Sequence, residues 1–238
     1  MPTTSAAKTG PRAAKKAVPS TLVLLIRHGT TPTTGKVLPG RAPGLHLAEA
    51  GQQQAATVAE RLRAWSTAGS DGGKQPNGKP RITAVYASPL ERTRETASPI
   101  AKALGLRVQT NRGLLECDFG DWTGAELKDL VKRPEWATVQ RYPSGFRFPG
   151  GETFTGMQAR IVDTVADLCR RHPGEAIVAV SHADPIKAAV ADALGSHLDL
   201  FQRIVISPCS VTAISYGALG PVVLAVNSTS ALTDLVPS

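Results

Sequence analysis

Thr21-Leu22-Val23-Leu24-Leu25-Ile26-Arg27-His28-Gly29-Thr30 is the stretch from which the rest of the chain is read. Five consecutive apolar residues, between a Pro-Ser on one side and a Gly on the other, read as a strand of a parallel sheet buried on both faces. Such a strand delivers Arg27 and His28 at its carboxyl end, which is where open α/β sheets bind ligands. A permanent cation beside an imidazole at that point calls for an anionic substrate and for a nucleophile or proton carrier.

Two further segments repeat the pattern. Residues 82–87 read as a strand ending in Ser88-Pro89-Leu90-Glu91-Arg92. Ser88 is a helix cap by type and Pro89 suits a first helical turn, so Arg92 is expected one turn into a helix that Pro99 then interrupts. Residues 176–180 read as a third buried strand, ending in Ser181-His182-Ala183-Asp184-Pro185. His182 therefore stands at a strand terminus with a helix start behind it, as His28 does.

Between these strands, Ala55, Val58, Ala59, Leu62 and Trp65 recur at helical steps, as do Phe154, Met157, Ile161, Val165 and Leu168. Residues 30–47, rich in Thr, Pro and Gly, form a connection long enough to be functional. The Gly-rich run 68–80 reads as a flexible surface insertion. Glu116, Asp118 and Asp121 lie in a loop of aromatics and glycines. That setting puts a carboxyl beside apolar surface, raises its pKa and equips it to donate a proton. Residues 125–150 read as a small cap over the site, and residues 211–226 as a closing hairpin.

At 238 residues the chain is sized for one large domain, taken here as 21–238, and 42% hydrophobic residues supply its core. No apolar run approaches the roughly 20 residues of a membrane span, so a cytoplasmic protein with no membrane partner is expected. Cys117, Cys169 and Cys209 form no CxxC pair. Lys8, Arg12, Lys15 and Lys16 supply half of the formal charge of +8. They fall in residues 1–20, a basic tail read as disordered. No aromatics are interleaved with those charges for base stacking, so no specific nucleic acid is expected.

The residues thus bring four cationic or potentially cationic side chains to strand ends, Arg27, His28, Arg92 and His182, with one candidate acid, Glu116. Phosphoryl transfer needs those parts: a nucleophile, positive charge on the phosphoryl oxygens and a proton for the leaving oxygen. Arg forks match phosphate geometry. A metal site would want clustered carboxylates or histidines at short spacing, which the sequence does not offer.

Five motifs in order carry a resemblance. They are Arg27-His28-Gly29; Ser88-x-Leu90-x-Arg92-x-x-x-Thr96-Ala97; Leu115-Glu116 before Gly120-x-Trp122-x-Gly124; Pro149-Gly150-Gly151-Glu152; and Val180-Ser181-His182. From Leu22 to about Val226 the chain resembles the histidine phosphatase superfamily, in the branch containing cofactor-dependent phosphoglycerate mutase and its phosphatase relatives. The resemblance implies a three-layer α/β/α sandwich with a mixed, mainly parallel central sheet, and no metal or other cofactor. It also implies that His28 becomes phosphorylated, that Arg27, Arg92 and His182 bind the phosphoryl group, and that Glu116 is general acid and then base. Thr34 stands where the family often has Asn, and Ala183 where it usually has Gly. The segment from Glu116 to His182 is shorter than in the mutases, which favours hydrolysis of a small phosphorylated metabolite over phosphomutase chemistry. Arg41 and Lys36 in the long loop, and Arg147 in the cap, are candidates for a second anionic group of the substrate. A silent phosphate-binding protein is the third reading. A homodimer through an edge strand or the aromatic segment is compatible with the sequence.

Overall fold

The computed structural model of the protein describes residues 19–67, 80–230 and 232. Residues 1–18 of the basic tail and 68–79 of the Gly-rich run lie outside them.

Six strands form one sheet: β1 (Thr21–Arg27), β2 (Ile82–Ala87), β3 (Val108–Thr110), β4 (Ala176–Ser181), β5 (Val211–Gly217) and β6 (Gly220–Ser228). Their order across the sheet is β3-β2-β4-β1-β5-β6. β1 pairs parallel with β4, β2 pairs parallel with β4 and with β3, and the β5–β6 hairpin is added antiparallel to β1. The sheet is therefore mixed and mainly parallel, as the motifs implied.

The strand at the centre explains why. Leu22, Leu24 and Ile26 point into one core and Val23 and Leu25 into the other, all fully buried. A strand with apolar side chains on both faces must be covered on both. α1 (Glu49–Thr67) and α2 (Glu91–Ala103) belong to the first side, α5 (Phe154–Arg171) and α6 (Ala183–Ala193) to the second. The predicted faces of α1 and α5 are the buried ones. The short helices α3 (Leu127–Leu130) and α4 (Trp136–Arg141) precede α5. The aromatics around them form a chain of ring contacts: Trp122 meets Trp136, Phe146 and Phe148, and Phe148 meets Phe154. That cluster is core packing. No described helix is long and apolar enough to cross a membrane.

Two expectations around α2 are corrected. Ser88 does not cap the helix; Leu90 is the N-cap residue, with no side-chain cap, and Arg92 is the second helical residue. The Ser88 hydroxyl is instead 3.0 Å from His182 Nε2. Pro99 does not interrupt α2, which runs unbroken to Ala103. Proline removes a single donor here, while Thr93, Thr96, Ala97 and Ile100 remain buried along the helix and outweigh one lost hydrogen bond.

α1 reaches the loop that follows β1 through glycine. A Cβ on Gly51 would lie 2.1 Å from the Thr30 carbonyl oxygen, and one on Gly29 would lie 2.6 Å from the Gly51 oxygen. Because the obstructing atoms are backbone, Gly51→Ala is expected to cost about 1–3 kcal/mol through forced separation of the two segments. Urea denaturation measures this, and an unchanged midpoint would refute the close approach.

Candidate active site

Arg27 ends β1 and His28 follows it, Arg92 lies in the first turn of α2 after β2, and His182 is the residue immediately before α6, after β4. Three neighbouring parallel strands thus deliver the four cationic candidates to one end of the sheet. Thr96, one turn further along α2, joins two of these segments. Its Oγ accepts the Gly29 N–H at 3.0 Å and donates to the Arg92 carbonyl at 2.7 Å. Thr96 stands in the second of the quoted motifs and shares the buried face of α2 with Arg92 and Thr93.

Hydrogen bonds fix both histidine tautomers. His28 Nδ1 lies 2.8 Å from the Gly29 carbonyl oxygen, and a carbonyl only accepts, so Nδ1 carries the hydrogen and Nε2 the lone pair. Arg92 Nε donates to that Nε2 at 3.3 Å, while its Nη2 donates to the Gly40 carbonyl at 2.7 Å and to His182 Nδ1 at 3.3 Å. His182 therefore has its hydrogen on Nε2, toward Ser88. The two rings pack edge-on with centroids 5.2 Å apart.

Neither ring favours protonation. Burial first, then the Arg92 charge, lowers the His28 pKa to about 3. The same two causes, in that order, hold His182 well below the ordinary histidine value. A neutral His28 keeps its Nε2 lone pair available throughout the neutral range.

The two arginines are left incomplete. Arg27 donates from Nη1 to the Ile206 carbonyl at 2.7 Å, but its Nε, like Nη1 of the fully buried Arg92, is buried with no hydrogen-bond partner. A buried guanidinium N–H without an acceptor is costly.

Glu116 is the acid that approaches this group, its Oε2 4.0 Å from His182 Nδ1. Burial, reinforced by the negative charge of Asp184, raises its pKa to about 7 against the opposing hydrogen bond from Cys117 N–H and the charges of Arg92 and Arg27. Near neutral pH it is thus able both to give and to take a proton.

Arg41 is placed otherwise than the expected substrate contact. Its Nε donates to the Glu116 carbonyl at 2.8 Å, and its terminal nitrogens pair with Glu152 at 2.9 Å and Asp118 at 3.5 Å. Arg160 makes a matching set of bonds, to the carbonyls of Gly113 and Leu115 at 2.8 Å each, of Glu116 at 3.3 Å, and to Glu152 at 3.0 Å. Together they clamp the loop that aims Glu116. Arg160 escaped the sequence reading because it lies on the polar side of an amphipathic helix. Thr34 closes its own turn, its Oγ accepting the Thr31 N–H at 2.8 Å. Ala183 follows His182 as the first residue of α6. Lys36 and Arg147 are exposed. Cys117 is buried, and burial pushes its thiol far above the ordinary range, which leaves it inert.

Comparison with known proteins follows the same lines. The family model described as "Histidine phosphatase superfamily (branch 1)" matches residues 23–69 and 76–229. The chain is 27% identical over 225 residues to phosphoserine phosphatase 1 of Hydrogenobacter thermophilus, covering 89% of this chain and 94% of that one. It is 30% identical over 196 residues to a probable phosphoglycerate mutase of an Enterobacter species, covering 82% and 84%. It spans 51% of the length of mycobacterial relatives that it matches at 31% identity. Among solved structures, a mutant phosphoserine phosphatase of Entamoeba histolytica in complex with phosphoserine aligns with a TM-score of 0.75 at 25% identity, covering 89% of this chain and 99% of that one.

Proposed function

Since this chain belongs to branch 1 of the histidine phosphatase superfamily, we propose that it is a phosphomonoesterase that hydrolyses a small phosphorylated metabolite through a phosphohistidine on His28. One observation carries the reading. Two guanidinium groups with unanswered buried N–H donors, Arg27 and Arg92, accompany an unprotonated imidazole whose Nε2 lone pair accepts the Arg92 Nε–H alone among the described residues. A phosphoryl group supplies the oxygens those donors lack and the phosphorus that the lone pair attacks.

In the first step His28 Nε2 bonds to phosphorus as the ester P–O bond breaks, and Glu116 gives its proton to the departing oxygen. Water then attacks the phosphohistidine, Glu116 takes a proton from it, and inorganic phosphate leaves with His28 neutral again. Arg27, Arg92 and His182 hold the phosphoryl oxygens through both steps. Because arginines provide the positive charge, the chemistry asks for no metal ion. Arg41 acts on the Glu116 loop as a positioning residue. A cytoplasmic setting agrees with the three unpaired cysteines. Phosphoserine, named in two of the relatives, is the first ester to assay.

Glu116→Gln tests the proton transfers. It is expected to lower kcat on an alkyl phosphate by about 10²–10⁴-fold, and by less on p-nitrophenyl phosphate, whose leaving group needs little protonation. The wild-type rate of ester cleavage should fall above about pH 7, as Glu116 loses its proton, and that limb should vanish in the variant. Stability follows the same titration. With its folded pKa raised above the unfolded value, Glu116 binds more protons in the native state and costs stability as pH rises through its folded pKa. Glu116→Gln should therefore be more stable than wild type above pH 7. An unchanged pH profile would remove Glu116 from the mechanism.

A phosphomutase is the second reading, favoured by the likeness to the Enterobacter protein. It shares the first step but returns the phosphoryl group to another hydroxyl. Product analysis separates the two, with free phosphate marking hydrolysis and an isomeric phosphoester marking transfer.

A further inference from the structure

Behind Arg27 a cleft of about 550 Å³ separates α1 from the loop that precedes β5. Gln53, Gln54, Thr57 and Arg61 line it from the helix, Ser207 and Cys209 from the loop. Among the described residues that line it none is acidic, and Arg61 is the one that carries a charge.

Arg61 is poorly provided for. Its Nη2 donates to the Ser228 carbonyl at 3.2 Å and to the Ser228 hydroxyl at 3.4 Å, but its Nε is buried without a partner. Neighbouring Glu60 is paired with Arg63 at 2.8 Å. Burial lowers the pKa of Arg61, as expected of a cation drawn from water with no carboxylate to offset it. Across the helix face, the side-chain oxygen of Gln54 accepts the Thr30 N–H at 2.9 Å, so its amide N–H groups are the part left to donate. Burial pushes the Cys209 thiol up to about 12, so it brings no negative charge.

We propose that this cleft is a second oxyanion site, which takes a small metabolite through a phosphate or carboxylate group held by Arg61 Nε–H and the Gln54 amide. Its volume is within the range of small-molecule sites, roughly 300–1,000 Å³, so it has room for an organic body behind the anionic group. Three bonds tie it to the catalytic end. Arg27 donates to the Ile206 carbonyl at 2.7 Å, Cys209 N–H donates to the Arg27 carbonyl at 3.0 Å, and Gln54 holds the backbone two residues beyond His28. Cys209 has a φ of 55°, in the left-handed region that non-glycine residues rarely adopt. The loop is thus held in an uncommon conformation where it grips Arg27, and an occupant of the cleft alters turnover as well as binding.

Isothermal titration of inorganic phosphate, with malonate in parallel, into wild type, Arg61→Met and Arg92→Gln tests this. Wild type should bind two equivalents of at least one of the anions, and the anion that fills the second site fixes its preference. Arg61→Met should weaken one site by at least about tenfold and leave activity on p-nitrophenyl phosphate in the absence of that anion unchanged. Arg61→Lys, which keeps the charge but loses the side-on Nε–H, should fall between. Arg92→Gln should weaken the other site and leave the Arg61 site intact. A single equivalent in wild type with both anions, or two equivalents persisting in Arg61→Met, overturns the proposal.

Discussion

His28→Ala is expected to lower phosphoester turnover on the order of 10⁶-fold, the scale of losing a covalent nucleophile. The size of the effect follows from where the lone pair is. With Nδ1 committed to the Gly29 carbonyl, Nε2 is the one nucleophilic atom of the ring. The other imidazole is no substitute, since it is fully buried where His28 is not, with its Nδ1 lone pair between Arg92 Nη2 and Glu116 and its Nε2–H facing Ser88. Purified variant and wild type compared on p-nitrophenyl phosphate and on phosphoserine measure the loss, with thermal melting as the control for folding. A loss below tenfold would mean that the phosphoryl group never resides on His28.

Arg92→Gln carries the second large effect. Losing an arginine that stabilises a transferring phosphoryl group costs about 10³–10⁵-fold in rate. Arg92 also spans both histidines and Gly40 with one planar fork. Arg92→Lys should rescue little, because a single ammonium cannot reach all three partners. Stability should move the other way. Arg92 is fully buried with Nη1 unanswered, so the free protein bears the cost of desolvating a cation that substrate offsets. The glutamine variant is therefore expected to melt at or above the wild-type temperature while its activity collapses. Full activity together with a large drop in melting temperature would show Arg92 to be structural only.

How much of this the sequence made legible depends on the kind of interaction. The sheet was legible because β1 and β4 carry apolar residues on both faces, and that demands two covering layers. The strand-end positions of His28, Arg92 and His182 followed from the same reasoning. Ser88 was misread because its local chemistry suits a cap equally well, and His182, 94 residues away, decides the matter. The Pro99 expectation failed because local propensity was outweighed by burial along α2. Arg41 was legible as a cation near the site, but Glu116 and Glu152, which claim it, come from distant segments. The Arg160 clamp and the Thr96 bridge exist only once the chain has folded, since each joins segments that sequence spacing does not relate.

The measurement closest to the central claim is capture of the intermediate. Wild-type protein mixed with phosphoserine or p-nitrophenyl phosphate is quenched in alkaline denaturant, which preserves phosphohistidine, then digested and sequenced by mass spectrometry. A phosphoryl group on the peptide containing His28, present with substrate and absent from both His28→Ala and substrate-free controls, is the result expected. Turnover with no phosphoryl group on any peptide, or with the group on His182 instead, would contradict it.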